Sequence, residues 1–167
     1  MIDTKTRRIG AARARMALSA AAMLVAAVLC APVVAAAQPE GLVATKSPHG
    51  AKETMDRLET IVKEKGLNVF ARVDHAAGAA KIGKTLRATA LLIFGNPQGG
   101  TPFMECAQSV GIDLPLKALV WEDAASQVWV GYNDPAWIAK RHGVEQCPVV
   151  QNLSKALGAF TAAAVAK

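Results

Sequence analysis

The stretch Leu116-Lys117-Ala118-Leu119-Val120-Trp121, then Glu122–Gln127, then Val128-Trp129-Val130-Gly131-Tyr132 decides the fold. Two short runs rich in β-branched and aromatic residues flank a connector of six mostly polar or small residues, which is the spacing of a β-hairpin. A hairpin joins antiparallel neighbours, whereas parallel strands need a long crossover. A hairpin late in the chain therefore favours a largely antiparallel sheet.

Working outward, Asp134-Pro135 supplies a capping side chain and a first helical proline. A helix is expected over Pro135–His142, stopped by Gly143. Val149, Val150, Leu153, Ala156, Leu157 and Phe160 then recur at helical spacing and predict an amphipathic helix over 148–165. Upstream, Ala88–Phe94 is a continuous apolar run, the pattern of a strand covered on both faces. Asn96–Gly100 reads as a loop, and Thr101-Pro102 as a helix start leading to about Ser109.

Leu67–Asp74 reads as a strand in which Val69, Ala71 and Val73 alternate with Phe70 and Arg72. A short alanine-rich helix follows over His75–Gly83. Gly41–Lys46 is a first strand, and Ser47-Pro48 is expected to open the next helix. There Ala51, Met55, Leu58, Ile61 and Val62 share one face, while Lys52, Glu53, Arg57 and Lys63 take the other. The order β-α-β-α-β-α-β-β-α-α predicts an α+β fold. It is a single domain, a largely antiparallel sheet with helices mainly on one face.

The charge is unevenly spread. The 167 residues carry 19 Lys+Arg against 13 Asp+Glu, but Met1–Ala37 holds Lys5, Arg7, Arg8, Arg13 and Arg15 against Asp3 alone. Residues 38–167 are nearly balanced, so the basic pI is no footprint of nucleic-acid binding. In the leader a basic segment precedes the uncharged Met16–Ala31, and the small residues Ala35-Ala36-Ala37 follow. This is the three-part pattern of a secretory signal peptide, cleaved after Ala37. Its rival is an uncleaved anchor, which Pro32 and the alanine content disfavour. Arg7-Arg8 lacks the bulky apolar residues of a twin-arginine signal, and Leu29 stands where a lipoprotein signal before Cys30 has a small residue.

The expected domains are therefore a signal peptide over 1–37 and a globular domain over 38–167. The compartment is the bacterial periplasm, and the membrane is met only through the leader. Cys106 and Cys147 remain in the mature chain. In an oxidising compartment a disulfide between them is expected, closing a loop of about 40 residues and worth about 3–4 kcal/mol; two separate buried thiols are the other reading. No C-x-x-C is present, which disfavours thioredoxin chemistry and covalent c-type haem.

Several blocks in order resemble one family. They are Phe70-Ala71-Arg72-Val73-Asp74-His75-Ala76-Ala77-Gly78, Leu92-Ile93-Phe94-Gly95-Asn96-Pro97, Gly100-Thr101-Pro102, Asp113-Leu114-Pro115-Leu116-Lys117, Val120-Trp121-Glu122-Asp123 and Tyr132-Asn133-Asp134-Pro135. This set is similar to the signature of the DUF302 family, a domain of unknown function, over roughly Gly41 to Gly143. The resemblance implies a compact α+β domain likened to the TATA-box-binding-protein fold, and no particular catalytic mechanism. Ala124-Ala125-Ser126 departs from the glycine-containing turn expected in the hairpin. Cys147 lies outside the matched core, so the family does not imply the disulfide.

Candidate chemistry is sparse. Asp74-His75 falls at a strand end, where an acid beside an imidazole can orient it for proton transfer; the plainer reading has Asp74 capping the next helix. Glu122 is the third member of this candidate catalytic set. Glu122, Asp123, Asp134 and His142 are expected toward one end of the sheet, an oxygen-and-imidazole set suited to Zn or Mn. Each also has a local role in a turn, cap or helix end, and no HExxH spacing accompanies them, so no metal site is assigned.

Asn96–Pro102, with Asn96 and Thr101 as its polar side chains, is a turn able to face an anion, but it lacks the GK[ST] of a P-loop. Trp121, Trp129 and Tyr132 are the aromatic candidates for a ligand pocket, with core filling as the plainer reading. His49 is expected in solvent, and Lys84 completes the polar set. Ser109 and Ser154 lack the G-x-S-x-G context of an acyl-transfer nucleophile.

The functional expectation is an exported, non-catalytic DUF302-type domain binding a small ligand or a protein partner, with no cofactor evident. The alternatives are a periplasmic enzyme with acid–base chemistry at Asp74/His75/Glu122, or a metal- or haem-handling protein. A homodimer through an edge strand is open to any antiparallel sheet.

Overall fold

Five strands and five helices follow one another in the order expected. The computed structural model describes residues 39–167, so the expectations for the leader, including cleavage after Ala37, lie outside the described residues. The strands are β1 (Leu42–Ser47), β2 (Asn68–Asp74), β3 (Thr89–Gly95), β4 (Leu116–Glu122) and β5 (Val128–Asn133). The helices are α1 (Ala51–Glu64), α2 (His75–Lys81), α3 (Pro97–Cys106), α4 (Pro135–Arg141) and α5 (Val149–Ala164), with a 3-10 helix over Gln108–Ile112. The strands form one antiparallel sheet in the order β1-β5-β4-β3-β2. The α+β expectation is borne out.

Register explains which residues are inside. Leu92 pairs with Ala118, Ala118 with Tyr132 and Val120 with Val130, so these share one face. Against that face pack Met55, Leu58 and Val62 of α1 and Leu157, Phe160 and Ala164 of α5, forming the main core. A second cluster joins Phe103, Val110, Ile138, Ala139, Cys147 and Val150, drawn from α3, the 3-10 helix, α4, the connector after it and the start of α5.

Three local expectations are corrected. First, the alternation read in Leu67–Asp74 breaks. Val69 pairs with Phe94 and Ala71 with Ile93, which leaves Phe70 as the extra residue of a β-bulge. Beyond the bulge the faces exchange, so Arg72 turns toward α1 and bonds Asp56 at 2.6 Å and Glu59 at 3.4 Å.

Second, Ser47 does not cap α1, which starts at Ala51 with Gly50 in the capping position. Ser47 Oγ instead accepts the His49 amide at 3.1 Å and meets the buried Thr54 hydroxyl at 2.7 Å. Third, Asn96–Gly100 is not a loop. The Asn96 side chain accepts the Gly99 amide at 2.9 Å and Pro97 takes the first helical position, so α3 begins there and Pro102 lies within it.

The hairpin turn closes without glycine. Asp123 Oδ1 accepts the amides of Ala125 at 2.8 Å and Gln127 at 3.0 Å, while Oδ2 accepts the Trp129 indole N–H at 2.8 Å. Ser126 adopts the left-handed conformation, at φ +59°. Such a φ disfavours any side chain with a Cβ, so Ser126→Gly should raise stability by about 0.5–1 kcal/mol, read as a higher denaturant midpoint at unchanged slope.

Acid should destabilise the fold through three carboxyls. The Lys52 ammonium, then Arg72, holds Asp56 below its usual range; Lys63, with Arg72 adding less, does so for Glu59. The Trp129 indole and then the Gln127 amide do the same for Asp123. A carboxyl whose folded pKa is depressed contributes stability above its unfolded pKa and loses it as pH falls through the folded one. Urea midpoints should therefore fall below about pH 4.5. Arg72→Met should shrink that loss, because Asp56 and Glu59 move back toward their ordinary values.

Candidate functional site

A cavity of about 390 Å³ opens at the end of the sheet where β3 stops and β4 starts. Leu67 and Phe70 form one wall, at the start of β2. Gly95 and the first turns of α3, through Pro97, Gly99, Gly100, Thr101 and Met104, form another. Gly111 of the 3-10 helix, the segment Leu114-Pro115-Leu116 and Leu153 of α5 close the remainder. Its volume lies within the range of small-molecule sites, and its wall is mostly aliphatic.

The sequence explains the space. The bulge at Phe70 re-aims that ring, which is 58% exposed, to the cavity's side. Gly99 and Gly100 carry no side chains into the volume from α3. Asn96 and Thr101 are the polar side chains in the wall, and the Asn96 oxygen is already engaged in capping α3.

The expected site residues therefore separate into several places. Asn96 and Thr101 line the cavity, while Trp121, Trp129 and Tyr132 do not. Trp121 and Trp129 are cross-strand neighbours on the sheet face away from α1 and α5, with ring centroids 6.2 Å apart. Lys46 Nζ sits 5.3 Å from the Trp129 ring. Gly131 lies beneath this pair, where a Cβ would come within 3.1 Å of Trp121 and 2.8 Å of the Val43 carbonyl. Tyr132 lies on the opposite, helix-covered face, and its burial raises the phenol's pKa.

Asp74 accepts the Ala77 amide at 2.8 Å and so caps α2, whose exposed first residue is His75. Glu122 ends β4, and β3 stands between β2 and β4. Two strand spacings place Asp74 and Glu122 about 10 Å apart or more. Among the described residues, no hydrogen bond or ion pair links Asp74, His75 and Glu122.

The acidic set expected toward one end of the sheet is divided. Glu122 pairs with Val128 at the start of β5, whereas Asp134 follows its far end. Asp134 caps α4 by accepting the Ala136 amide at 3.0 Å and also accepts from Ser154 at 3.0 Å. Among the described residues no group of three or more His, Cys, Asp or Glu is placed to hold a metal ion. His49 is largely covered rather than in solvent, bonded to the Ala166 carbonyl at 2.8 Å and 3.2 Å from Glu53. Lys84 is in an exposed connector.

One constellation had no local sequence signal. Ser109 Oγ lies 2.9 Å from His142 Nδ1, and His142 Nε2 lies 2.7 Å from Asp113 Oδ2. Arg141 donates to the other Asp113 oxygen at 3.0 Å. The segments carrying these residues are drawn together where Cys106 and Cys147 face each other at bonding distance, with Cα atoms 6.1 Å apart, a separation compatible with a disulfide.

Comparison with known proteins covers most of these elements. About 48% of positions are identical over 113 residues in proteins named fluoride-specific ion channel FluC 1, from Brucella suis, and FluC 2, from Brucella melitensis. The match takes in 68% of this chain but 44% and 42% of those proteins, so the chain spans less than half their length. No helix of the described residues is long and apolar enough to cross a membrane. The crystal structure of an uncharacterised DUF302 protein from Bacillus stearothermophilus superposes with a TM-score of 0.67 at 19% identity, over 75% of this chain and 99% of that one. The model of the family described as "Domain of unknown function DUF302" matches residues 43–160. By that match, which runs from β1 into α5, this chain belongs to the DUF302 family.

Proposed function

We propose that this chain is an exported DUF302 domain that holds a small, mostly apolar ligand in the cavity between α3, the 3-10 helix and α5. The cavity carries the reading. It is large enough for a small molecule, and its aliphatic wall is broken by only two polar side chains, Asn96 and Thr101. A wall of that kind takes up apolar surface and leaves orientation to a few polar contacts. Export to the periplasm is supported by the basic, apolar and small-residue segments of Met1–Ala37. The approach of Cys106 to Cys147 supports a disulfide formed there. The channel names of the longer relatives are not extended to this chain, which spans less than half of those proteins.

The test is the native mass of protein purified gently from its own periplasm. The expected species begins at Gln38, is two hydrogens lighter than the reduced chain, and carries the added mass of a ligand. Gly100→Leu should remove that added mass. The new side chain enters the cavity from α3, where a Cβ meets Leu114 at an ordinary 3.6 Å. Its thermal midpoint should hold or rise, since leucine favours a helix over glycine by about 0.5–1 kcal/mol.

A bare wild-type chain that also fails to bind the apolar dye 8-anilinonaphthalene-1-sulfonate would overturn the ligand reading. A chain starting at Met1 would overturn cleavage. Two thiols that react with iodoacetamide without reductant would overturn the disulfide.

A further inference from the structure

We propose that Ser109 is an activated nucleophile, with His142 as its base and Asp113 as the positioning residue, and that it accepts acyl groups from small apolar esters. The three side chains form a continuous relay at 2.9 and 2.7 Å, both within hydrogen-bond reach. Asp113 also accepts from Arg141, so the imidazole N–H is assigned to Nε2, facing the carboxylate. The lone pair then sits on Nδ1, facing the Ser109 hydroxyl. This connectivity uses the two ring nitrogens in the reverse of the familiar order, but the roles are those of nucleophile, base and orienting acid.

Exposure is divided as acyl transfer requires. The His142 side chain is 8% exposed and that of Asp113 12%, whereas Ser109 is open to solvent. Packing fixes the geometry. Val110, beside Ser109, and Ile138 and Ala139, in the helix that His142 ends, are buried together in the second core.

The step balances with water as the only co-reactant. Ser109 Oγ bonds to the ester carbonyl carbon as its proton passes to Nδ1. The bond from that carbon to the alkoxy oxygen then breaks, and the departing alcohol takes the proton from Nδ1. Water repeats the sequence on the acyl-serine, releasing the carboxylic acid and restoring Ser109. Gly111, two residues along the 3-10 helix, and Leu114, beside Asp113, both line the apolar cavity. The preference for an apolar acyl chain rests on the cavity reading; the reactivity of Ser109 does not.

The experiment is covalent labelling of the full mature protein by an alkyl fluorophosphonate, with the adduct mapped by peptide mass. Ser154 is the internal control, since its hydroxyl bonds Asp134 and no histidine. Ser109 should label at least about 100-fold faster than Ser154, the usual gain from a positioned base. His142→Asn should lose about that factor, and Asp113→Asn part of it.

Equal labelling of Ser109 and Ser154 in the wild type would overturn the proposal, and that comparison stands even if the variants fail to fold. Undiminished labelling in a folded His142→Asn would overturn it as well. Turnover of p-nitrophenyl butyrate should disappear in Ser109→Ala. Gly100→Leu should slow the butyrate more than the acetate ester. Reactive Ser109 with no chain-length preference would sink the cavity assignment and leave the nucleophile standing.

Discussion

One apolar seam holds the domain together: the contact between a single face of the sheet and the helices α1 and α5. Leu92, Phe94, Val120 and Val130 are fully or almost fully buried there against Met55, Leu58, Val62 and Leu157. Each such side chain contributes about 1.5–3 kcal/mol when removed from water. The C-terminal end of α5 is also tied to the N-terminal half of α1, where Arg57 donates to the Ala164 and Ala166 carbonyls and His49, just ahead of α1, bonds Ala166. Those contacts satisfy carbonyls that a helix end leaves without partners. With the seam formed, β1 and β2 fall at opposite edges of the sheet, and α1 must run across its face to join them.

The cavity follows from how the smaller core is appended. Alpha3, the 3-10 helix and α4 pack around Phe103 and Ile138 rather than directly over the sheet. Where the two cores meet, glycines on α3 and the bulge at Phe70 keep side chains from filling the junction. The space is thus built from backbone choices, at residues whose individual burial is modest.

The seam was legible in the sequence because period 3.6 in α1 and α5 and the apolar runs of β3, β4 and β5 each report burial directly. The hairpin was legible from spacing, although Ser126 hid its left-handed turn; Asp123 supplies the hydrogen bonds that hold that turn in place of glycine. The bulge was not legible. One extra residue in Asn68–Asp74 reverses which side chains face the helices, and only the pairing with β3 displays it. The start of α3 is ambiguous in the sequence because Asn96-Pro97 and Thr101-Pro102 are both sound helix starts. Glycines at 99 and 100 favour a loop by propensity, and the structure places both in the first turn of α3. Ser109, Asp113 and His142 come from separate elements, and no local pattern anticipates a contact made by docking α4 against the 3-10 helix.

The open face of the sheet obeys a different rule from the seam. Antiparallel sheets tolerate water on one side, and here Trp121 and Trp129 stack along the hairpin over Gly131, with Lys46 beside the Trp129 ring. The stack shields the backbone at Gly131, where no side chain fits between Val43 and Trp121. It is held from below by the bond between Asp123 and the Trp129 indole, so the turn and the aromatic pair stabilise each other. These tryptophans therefore serve the strand pairing itself, which explains why they stand apart from the cavity. The aromatic cluster that drew attention in the sequence belongs to the scaffold, and the mostly aliphatic and glycine-lined junction is where a ligand would find room.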